Sequence, residues 1–284
     1  MEDSDTSIRG SFNFMKQAEL YDNVKPYSID NEIKRWVGHV PRSNYQNSAV
    51  ENVLVKDLRG REAEFTFEKN GFAIIEMESA MTYEDFDDPE KFSGIYLQEV
   101  AACLIQYFDA RSVHIFNTVR RRRHPDFPNV AVIRPGAATQ PAARVHIDST
   151  RQSLDQLVRE LQDDKLNING RHYIYLNVWK PLTGPVHDWP LAFCDARTIQ
   201  SKDLEPHDQV FHDVVRENVM VYHNPKQEWY YLSGQMPSEL LLFRQADSQN
   251  NPGVAHTAFE IPSPPLHPVI TRESIEVRVI VFLD

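Results

Sequence analysis

The chain has 284 residues, 41% of them hydrophobic, enough to bury a sizeable core within one unit. Lys and Arg number 30 against 41 Asp and Glu, a net charge of −11, which argues against a general nucleic-acid binder because that needs a cationic face. An anionic small-molecule substrate stays compatible, since a pocket can carry its own arginines, and two widely spaced cysteines, Cys103 and Cys194, imply neither a disulfide framework nor a cysteine zinc site.

The segment Met1-Glu2-Asp3-Ser4-Asp5 is acidic and polar and does not read as a signal peptide. No apolar stretch is long enough to span a bilayer, so a cytoplasmic protein without a membrane partner is expected. Residues 1–60 scatter Phe12, Phe14, Tyr21, Tyr27 and Trp36 without a strict period, which predicts an N-terminal arm of short strands packing on the body. Alternation through Ala63, Phe65 and Phe67, then Gly71 to Ile75, predicts a hairpin turning at Lys69-Asn70-Gly71.

Asp88-Pro89-Glu90 is a helix start, and Tyr96, Val100, Cys103, Leu104 and Tyr107 continue it at helical spacing over residues 83–110. A second helix is predicted over 150–165, with Leu154, Leu157, Val158 and Leu161 on one face. Strands are predicted at 112–116, 129–133, 172–179, 190–193, 218–222, 229–232, 240–244, 257–261 and 274–283, with a Pro-rich loop at 262–265. Many short strands after early helices make a mainly β fold with flanking helices, a barrel or sandwich.

Arg144-Val145-His146-Ile147-Asp148 contains His-x-Asp. On a strand, residues i and i+2 point the same way, so His146 and Asp148 aim at one point. With a distal histidine they form a facial triad that leaves three positions open on a non-haem iron. Alone the pattern is weak, because a chain with 11 His supplies it by chance. A second match, His124-Pro125-Asp126, follows the run Arg120 to Arg123 and contains Pro, which suits an exposed turn. For the distal ligand, His256 opens an apolar strand, whereas His267 sits in a Pro-rich loop.

A 2-oxoglutarate co-substrate also needs a cation for its distal carboxylate, and Arg offers a bidentate fork. Arg272 and Ser274 share one strand face, and Arg278 has the same parity. Either arginine also fits an ordinary surface ion pair.

Several longer runs resemble a known family. They are Asn177 to Leu182, Gly184-Pro185-Val186, Trp189 to Ala192 with Asp195-Ala196-Arg197, Tyr222 to Pro225, Trp229-Tyr230-Tyr231, Asp247-Ser248, His256 to Phe259 and Arg272 to Arg278. In this order, over residues 110–284, they resemble the fungal and bacterial hydroxylase/desaturase family of Fe(II)/2-oxoglutarate-dependent oxygenases. That family includes gibberellin desaturase-like proteins and the cephalosporin methoxylation component. Lys180 stands where many relatives have Arg.

The resemblance implies a double-stranded β-helix (jelly-roll) core at 110–284 within one oxygenase domain, 1–284. It implies Fe(II) on His146, Asp148 and His256, with Arg272 and Ser274 on 2-oxoglutarate and Arg278 in reserve. Asn177 is a further co-substrate contact. Dioxygen is the oxidant, and the outcome is hydroxylation, desaturation or ring closure of a small natural-product or amino-acid-derived molecule. A homodimer is compatible. Trp179, Trp189, Phe193 and Tyr231 either line the pocket or fill the core, and Tyr222 and His223 belong either to the pocket wall or to an edge strand. One arginine of 120–123 can hold a substrate carboxylate if it turns inward; otherwise the run is a solvated edge. Two rivals remain: a catalytically silent jelly-roll partner subunit, and a zinc hydrolase on the same ligands. The intact triad and Arg-x-Ser count against the first, and Arg-x-Ser against the second, since a metal-bound water needs no dicarboxylate clamp.

Overall fold

The computed structural model describes residues 7–29, 40–129, 139–161, 170–262 and 270–283. Its strands are β1 (Ile8–Met15), β2 (Tyr27–Ile29), β3 (Asn47–Asp57), β4 (Phe72–Glu76), β5 (Ser112–Arg122), β6 (His146–Ile147) and β7 (Tyr173–Pro181). They continue as β8 (Leu191–Cys194), β9 (Leu204–Val210), β10 (Val215–Val221), β11 (Trp229–Tyr231), β12 (Glu239–Asp247), β13 (His256–Ala258) and β14 (Glu273–Phe282). Among the described residues they form a nine-stranded sheet, β1-β3-β11-β8-β13-β6-β10-β9-β2, and a five-stranded sheet, β4-β12-β7-β14-β5. β3 runs parallel to β11 and β2 parallel to β9; the other pairings are antiparallel.

Successive strands cross between the sheets: β6 large, β7 small, β8 large, then β12 small, β13 large and β14 small. This is the double-stranded β-helix that the sequence led us to expect. The small sheet is covered on both faces. Ile174, Leu176 and Val178 of β7 and Ile275, Val277, Val279 and Val281 of β14 face outward, under Tyr96, Val100 and Leu104. The opposite parity puts Tyr175, Asn177 and Trp179 of β7, and Ser274, Glu276 and Arg278 of β14, toward the interior.

The helices are α1 (Phe67–Asn70), α2 (Pro89–Lys91), α3 (Leu97–Phe108) and α4 (Arg151–Glu160), with a π-helical turn, Phe92–Tyr96, joining α2 to α3. The Asp88 carboxylate accepts from the Glu90 and Lys91 amides, and Pro89 takes the first turn, where its missing N–H costs nothing. The Thr150 hydroxyl caps α4 by accepting from the Ser153 amide. Leu154 and Val158 then seal one end of the interior against Tyr173, Ile280 and Phe282.

Two segments depart from expectation. Residues 61–75 are not a hairpin. Thr66 caps a single helical turn, α1, Gly71 ends it at φ 83°, and only then does β4 begin. A side chain at Gly71 is excluded twice, by the left-handed φ and by Val254 Cγ2, 2.7 Å from where a Cβ would stand. The first 60 residues, meanwhile, do more than lie on the body, since β1 and β3 are strands of the large sheet. The sheet curls until Asn13 bridges Arg144, and the Val145 amide donates to the Asn13 carbonyl at 2.9 Å. Phe12, Phe14, Val53 and Val55 thereby bury Val145 and Ile147 on the outer face. Each buried Phe contributes roughly 1.5–3 kcal/mol. This packing fixes the register of β6 and so turns His146 and Asp148 inward. The expected strand at 129–133 beyond its first residue, the helix tail at 162–165, Trp36 and His267 lie outside the described residues.

Candidate metal centre

β6 is only two residues long, yet it is held on both sides. His146 pairs with Met220 of β10 and with His256 of β13. The cross-strand pairing brings the two imidazoles together, ring centroids 4.4 Å apart. The ligand atoms of His146, Asp148 and His256 all lie within 4.8 Å of one another.

Backbone contacts set the tautomers. His146 Nδ1 is 2.7 Å from the Arg144 carbonyl, and His256 Nδ1 is 3.2 Å from the Val254 carbonyl. A carbonyl only accepts, so both Nδ1 atoms carry a proton, which turns both Nε2 atoms toward the metal position, His146 Nε2 at 3.2 Å from Asp148 Oδ1. Burial, then His146, pushes His256 down to about 3, so it is neutral at any physiological pH. The Asp148 carboxylate accepts from Asn177 Nδ2 at 2.7 Å and pairs with Arg278 at 3.2 Å, while Gln245 Oε1 takes the Asp148 amide at 2.7 Å. Burial alone would raise the Asp148 pKa; Arg278, His146 and His256 outweigh it and hold it well below the usual carboxylate range. The set is therefore two imidazole nitrogens and one anionic oxygen, borderline-hard donors that suit a divalent first-row metal.

Arg272 immediately precedes β14. Its Nη1 donates to the Trp189 carbonyl at 2.5 Å, and its guanidinium stacks over the Trp179 ring at 5.6 Å. The nearby Asp188 carboxylate is already taken by Arg123 at 2.5 Å and by the Arg272 amide at 2.8 Å. Arg272 Nε and Ser274 Oγ are both buried without a hydrogen-bond partner among the described residues. Burial, then the neighbouring Arg121, lowers the Arg272 pKa to about 9. A buried cation beside an idle hydroxyl is costly unless an anion completes it, so this corner fits a carboxylate.

The family model described as "Oxidoreductase/YMDC permease-like domain" matches residues 12–282. Among the described residues no helix is long and apolar enough to cross a membrane. The alpha-ketoglutarate-dependent dioxygenase tstK of Talaromyces stipitatus is 32% identical over 248 residues, covering 84% of this chain and 87% of that protein. The chain belongs to the Fe(II)/2-oxoglutarate-dependent dioxygenases. The hydroxylase/desaturase efuI of Hormonema carpetanum is 29% identical over 260 residues, 82% of this chain and 83% of that one. The solved iron and alpha-ketoglutarate-dependent endoperoxidase NvfI superposes with a TM-score of 0.83 at 27% identity, covering 98% of both chains.

This dioxygenase sorts the remaining sequence candidates by place. The turn at His124 and Asp126 is exposed, away from the triad. Trp179 stacks under Arg272, and the Trp189 carbonyl receives it from a backbone at φ 45°. Phe193 packs on Phe72, and Tyr231 on Phe259, as core. Tyr222 and His223 pack against Met15 and Phe14 of the N-terminal strand. Arg120 to Arg122 end β5, the edge strand of the small sheet, and their side chains alternate between a solvated side and the interior. Arg120 pairs with Asp87 and Glu273, Arg122 with Glu273 and Arg123 with Asp188. Arg121 stands opposite Ser274 and lines the same 410 Å³ cavity as His146, Asp148 and Arg278. Sequence reasoning missed Gln245, and it missed His207 and Asn218 of the cavity wall. Their one signal is strand parity, which is legible only once the strand pairing is known.

Proposed function

We propose that His146, Asp148 and His256 hold iron(II) in this dioxygenase, that Arg272 with Ser274 holds the distal carboxylate of 2-oxoglutarate, and that Asn177 and Arg278 hold Asp148 in place. One observation carries the reading: three convergent ligand atoms stand on the same interior as a buried cation and hydroxyl without partners. A zinc hydrolase has no use for that second feature, because a metal-bound water needs no dicarboxylate clamp.

Bound iron(II), with 2-oxoglutarate and dioxygen, supplies an oxidant able to break an unactivated C–H bond while 2-oxoglutarate becomes succinate and carbon dioxide. The chain's own residues position and exclude. The Nδ1 contacts to Arg144 and Val254 keep both imidazole lone pairs on the metal side. Arg278 keeps Asp148 ionised. Arg278 also lies too near the metal position to take the far end of a five-carbon diacid chelated there, whereas Arg272 is six residues away, about 20 Å along the strand backbone, and reaches back. Phe243, edge-on to His256 at 4.8 Å, supports the distal ligand from the apolar side.

The substrate in this reading is a small natural product or amino-acid-derived molecule, and the outcome is hydroxylation, desaturation or ring closure. Residues 1–284 act as one oxygenase domain, compatible with a homodimer and with no nucleic-acid or membrane partner. The free thiols of Cys103 and Cys194 suit a cytoplasmic, reducing compartment. The test is succinate formation by the purified protein. It should require both iron(II) and 2-oxoglutarate, stop on chelation and return with iron(II) but not zinc(II). Turnover that survives chelation would sink the assignment.

A further inference from the structure

The cavity at the triad has a wall that the co-substrate reading leaves unused. Its volume of 410 Å³ is in the range of small-molecule sites. Arg272 and Ser274 are not among its lining residues, although Arg121 stands opposite Ser274 on the neighbouring strand. Arg144, His207 and Asn218 line it beside the metal ligands on the large sheet, and Arg121 lines it from the small sheet.

Arg121 differs from its neighbours in the run. Arg120, Arg122 and Arg123 each have a carboxylate partner; Arg121 donates to the Gln140 carbonyl at 2.8 Å and makes no ion pair among the described residues. Strand alternation explains the difference. Arg120 and Arg122 point to the outer side, where Asp87 and Glu273 wait, and Arg121 points to the interior with Ser274 across from it. A half-buried guanidinium facing a cavity without a counter-ion offers an anion a charge-assisted, bidentate partner.

His207 adds a second contact. It pairs across strands with Asn218, and its Nδ1 lies 2.7 Å from Asn218 Oδ1. With Nδ1–H donating there, Nε2 carries a lone pair, and that nitrogen is buried with no partner. Burial lowers the His207 pKa, which keeps the ring neutral and Nε2 an acceptor. The Tyr45 ring meets the imidazole edge-on at 5.0 Å, and the Tyr45 hydroxyl accepts from Arg144, so the ring is fixed in this orientation.

We infer that the substrate is a hydroxylated organic acid, its carboxylate held by Arg121 and a hydroxyl donating to His207 Nε2. The inference rests on the iron and 2-oxoglutarate reading and specifies its substrate class. Arg121 and His207 are specificity residues here; neither touches the metal.

Calorimetric titration of the iron(II)-loaded protein without oxygen tests it in two stages. The first titrant is 2-oxoglutarate. The second set, added to the 2-oxoglutarate complex, is benzoate, para-hydroxybenzoate and para-hydroxyphenylpropionate, each against its methyl ester. The acids should bind at least tenfold tighter than their esters, and Arg121→Gln should remove that difference while Arg121→Lys keeps part of it. The hydroxylated acids should bind tighter than benzoate, an advantage lost in His207→Phe. Failure of 2-oxoglutarate to bind overturns the co-substrate reading and this inference with it. If 2-oxoglutarate binds, the inference alone falls on any of three results: acids and esters bind alike, no probe binds at millimolar concentration, or the preference survives in Arg121→Gln. It falls too if Arg121→Gln weakens 2-oxoglutarate as much as the acids, because Arg121 then serves the co-substrate.

Discussion

The interior face of β14 and the residue just before that strand carry two arginines in opposite states. Arg278 is saturated: Asp148 lies 3.2 Å from it and Glu276 3.0 Å. Its own burial would lower its pKa, yet Asp148 outweighs that and the charge is held firmly. Arg272, six residues earlier, is the more deeply buried of the two, but the nearby Asp188 carboxylate is spoken for by Arg123. The difference separates two uses of one side chain. An internally neutralised cation stabilises a partner already in the protein, here the Asp148 carboxylate proposed for the metal. An unneutralised one, with an idle hydroxyl beside it, is a socket for an anion from outside. Identical residue type and parity do not distinguish them; the partners do.

The sharpest break to that comparison is removal of what Arg278 serves. Asp148→Ala or His146→Ala should eliminate iron-dependent succinate formation. Loss of a residue that merely supports a metal ligand typically costs 10–100-fold, so loss of a ligand should cost ~100-fold or more. Unchanged turnover in both variants refutes the triad. The next effect contrasts the arginines directly. Arg272→Ala truncates one side of a buried charge pair with the co-substrate, worth about 2–5 kcal/mol, and the 2-oxoglutarate KM should rise roughly 30-fold or more. Arg278→Gln should instead weaken iron binding about 10–100-fold, with the 2-oxoglutarate KM near normal once iron saturates. Steady-state titrations of iron and of 2-oxoglutarate separate the two. If Arg278→Gln raises the 2-oxoglutarate KM and Arg272→Ala does not, the roles are reversed.

How much of this was legible beforehand follows the same line. His146 and Asp148 were readable because i,i+2 parity is local, and His256 because a strand opens on it. Strand order let Arg272 and Arg278 share a face. What decided between them was non-local: Asp148 reaches Arg278 across more than a hundred residues, and Arg123 takes Asp188 across 65. No spacing encodes such a contact. The hairpin expected at 61–75 failed for a different reason. Phe65 and Phe67 do alternate, but the Thr66 cap and the left-handed Gly71 close a helical turn between them, so capping outweighed periodicity. β1 and β3 were hidden because their partners are each other and β11, and their apolar faces make sense only against Val145 and Ile147.

A third buried cation gives the smallest effect and the cleanest control. Lys180, on the outward face of β7, has no carboxylate in contact among the described residues; its ammonium stands over the rings of Phe86 and Tyr96 at 5.2 and 5.0 Å. It is 4% exposed. Burial lowers its pKa from 10.5 to about 8, against the weaker pull of Glu99 and Glu78. The folded state therefore releases the proton before the unfolded state does. Below pH 8 both states are protonated and the full cost of burying the charge is present. Between pH 8 and 10.5 the unfolded chain binds more protons, so this group makes stability rise with pH. Lys180→Met should raise stability at neutral pH by about 1–3 kcal/mol, less whatever the two rings return as cation–π attraction, and flatten that rise. Denaturant titrations at pH 7 and 10 measure both. If Lys180→Met instead destabilises the fold at pH 7, the rings more than compensate the burial. A buried cation then needs no anion in this protein, and the idle state of Arg272 would lose its meaning as a socket.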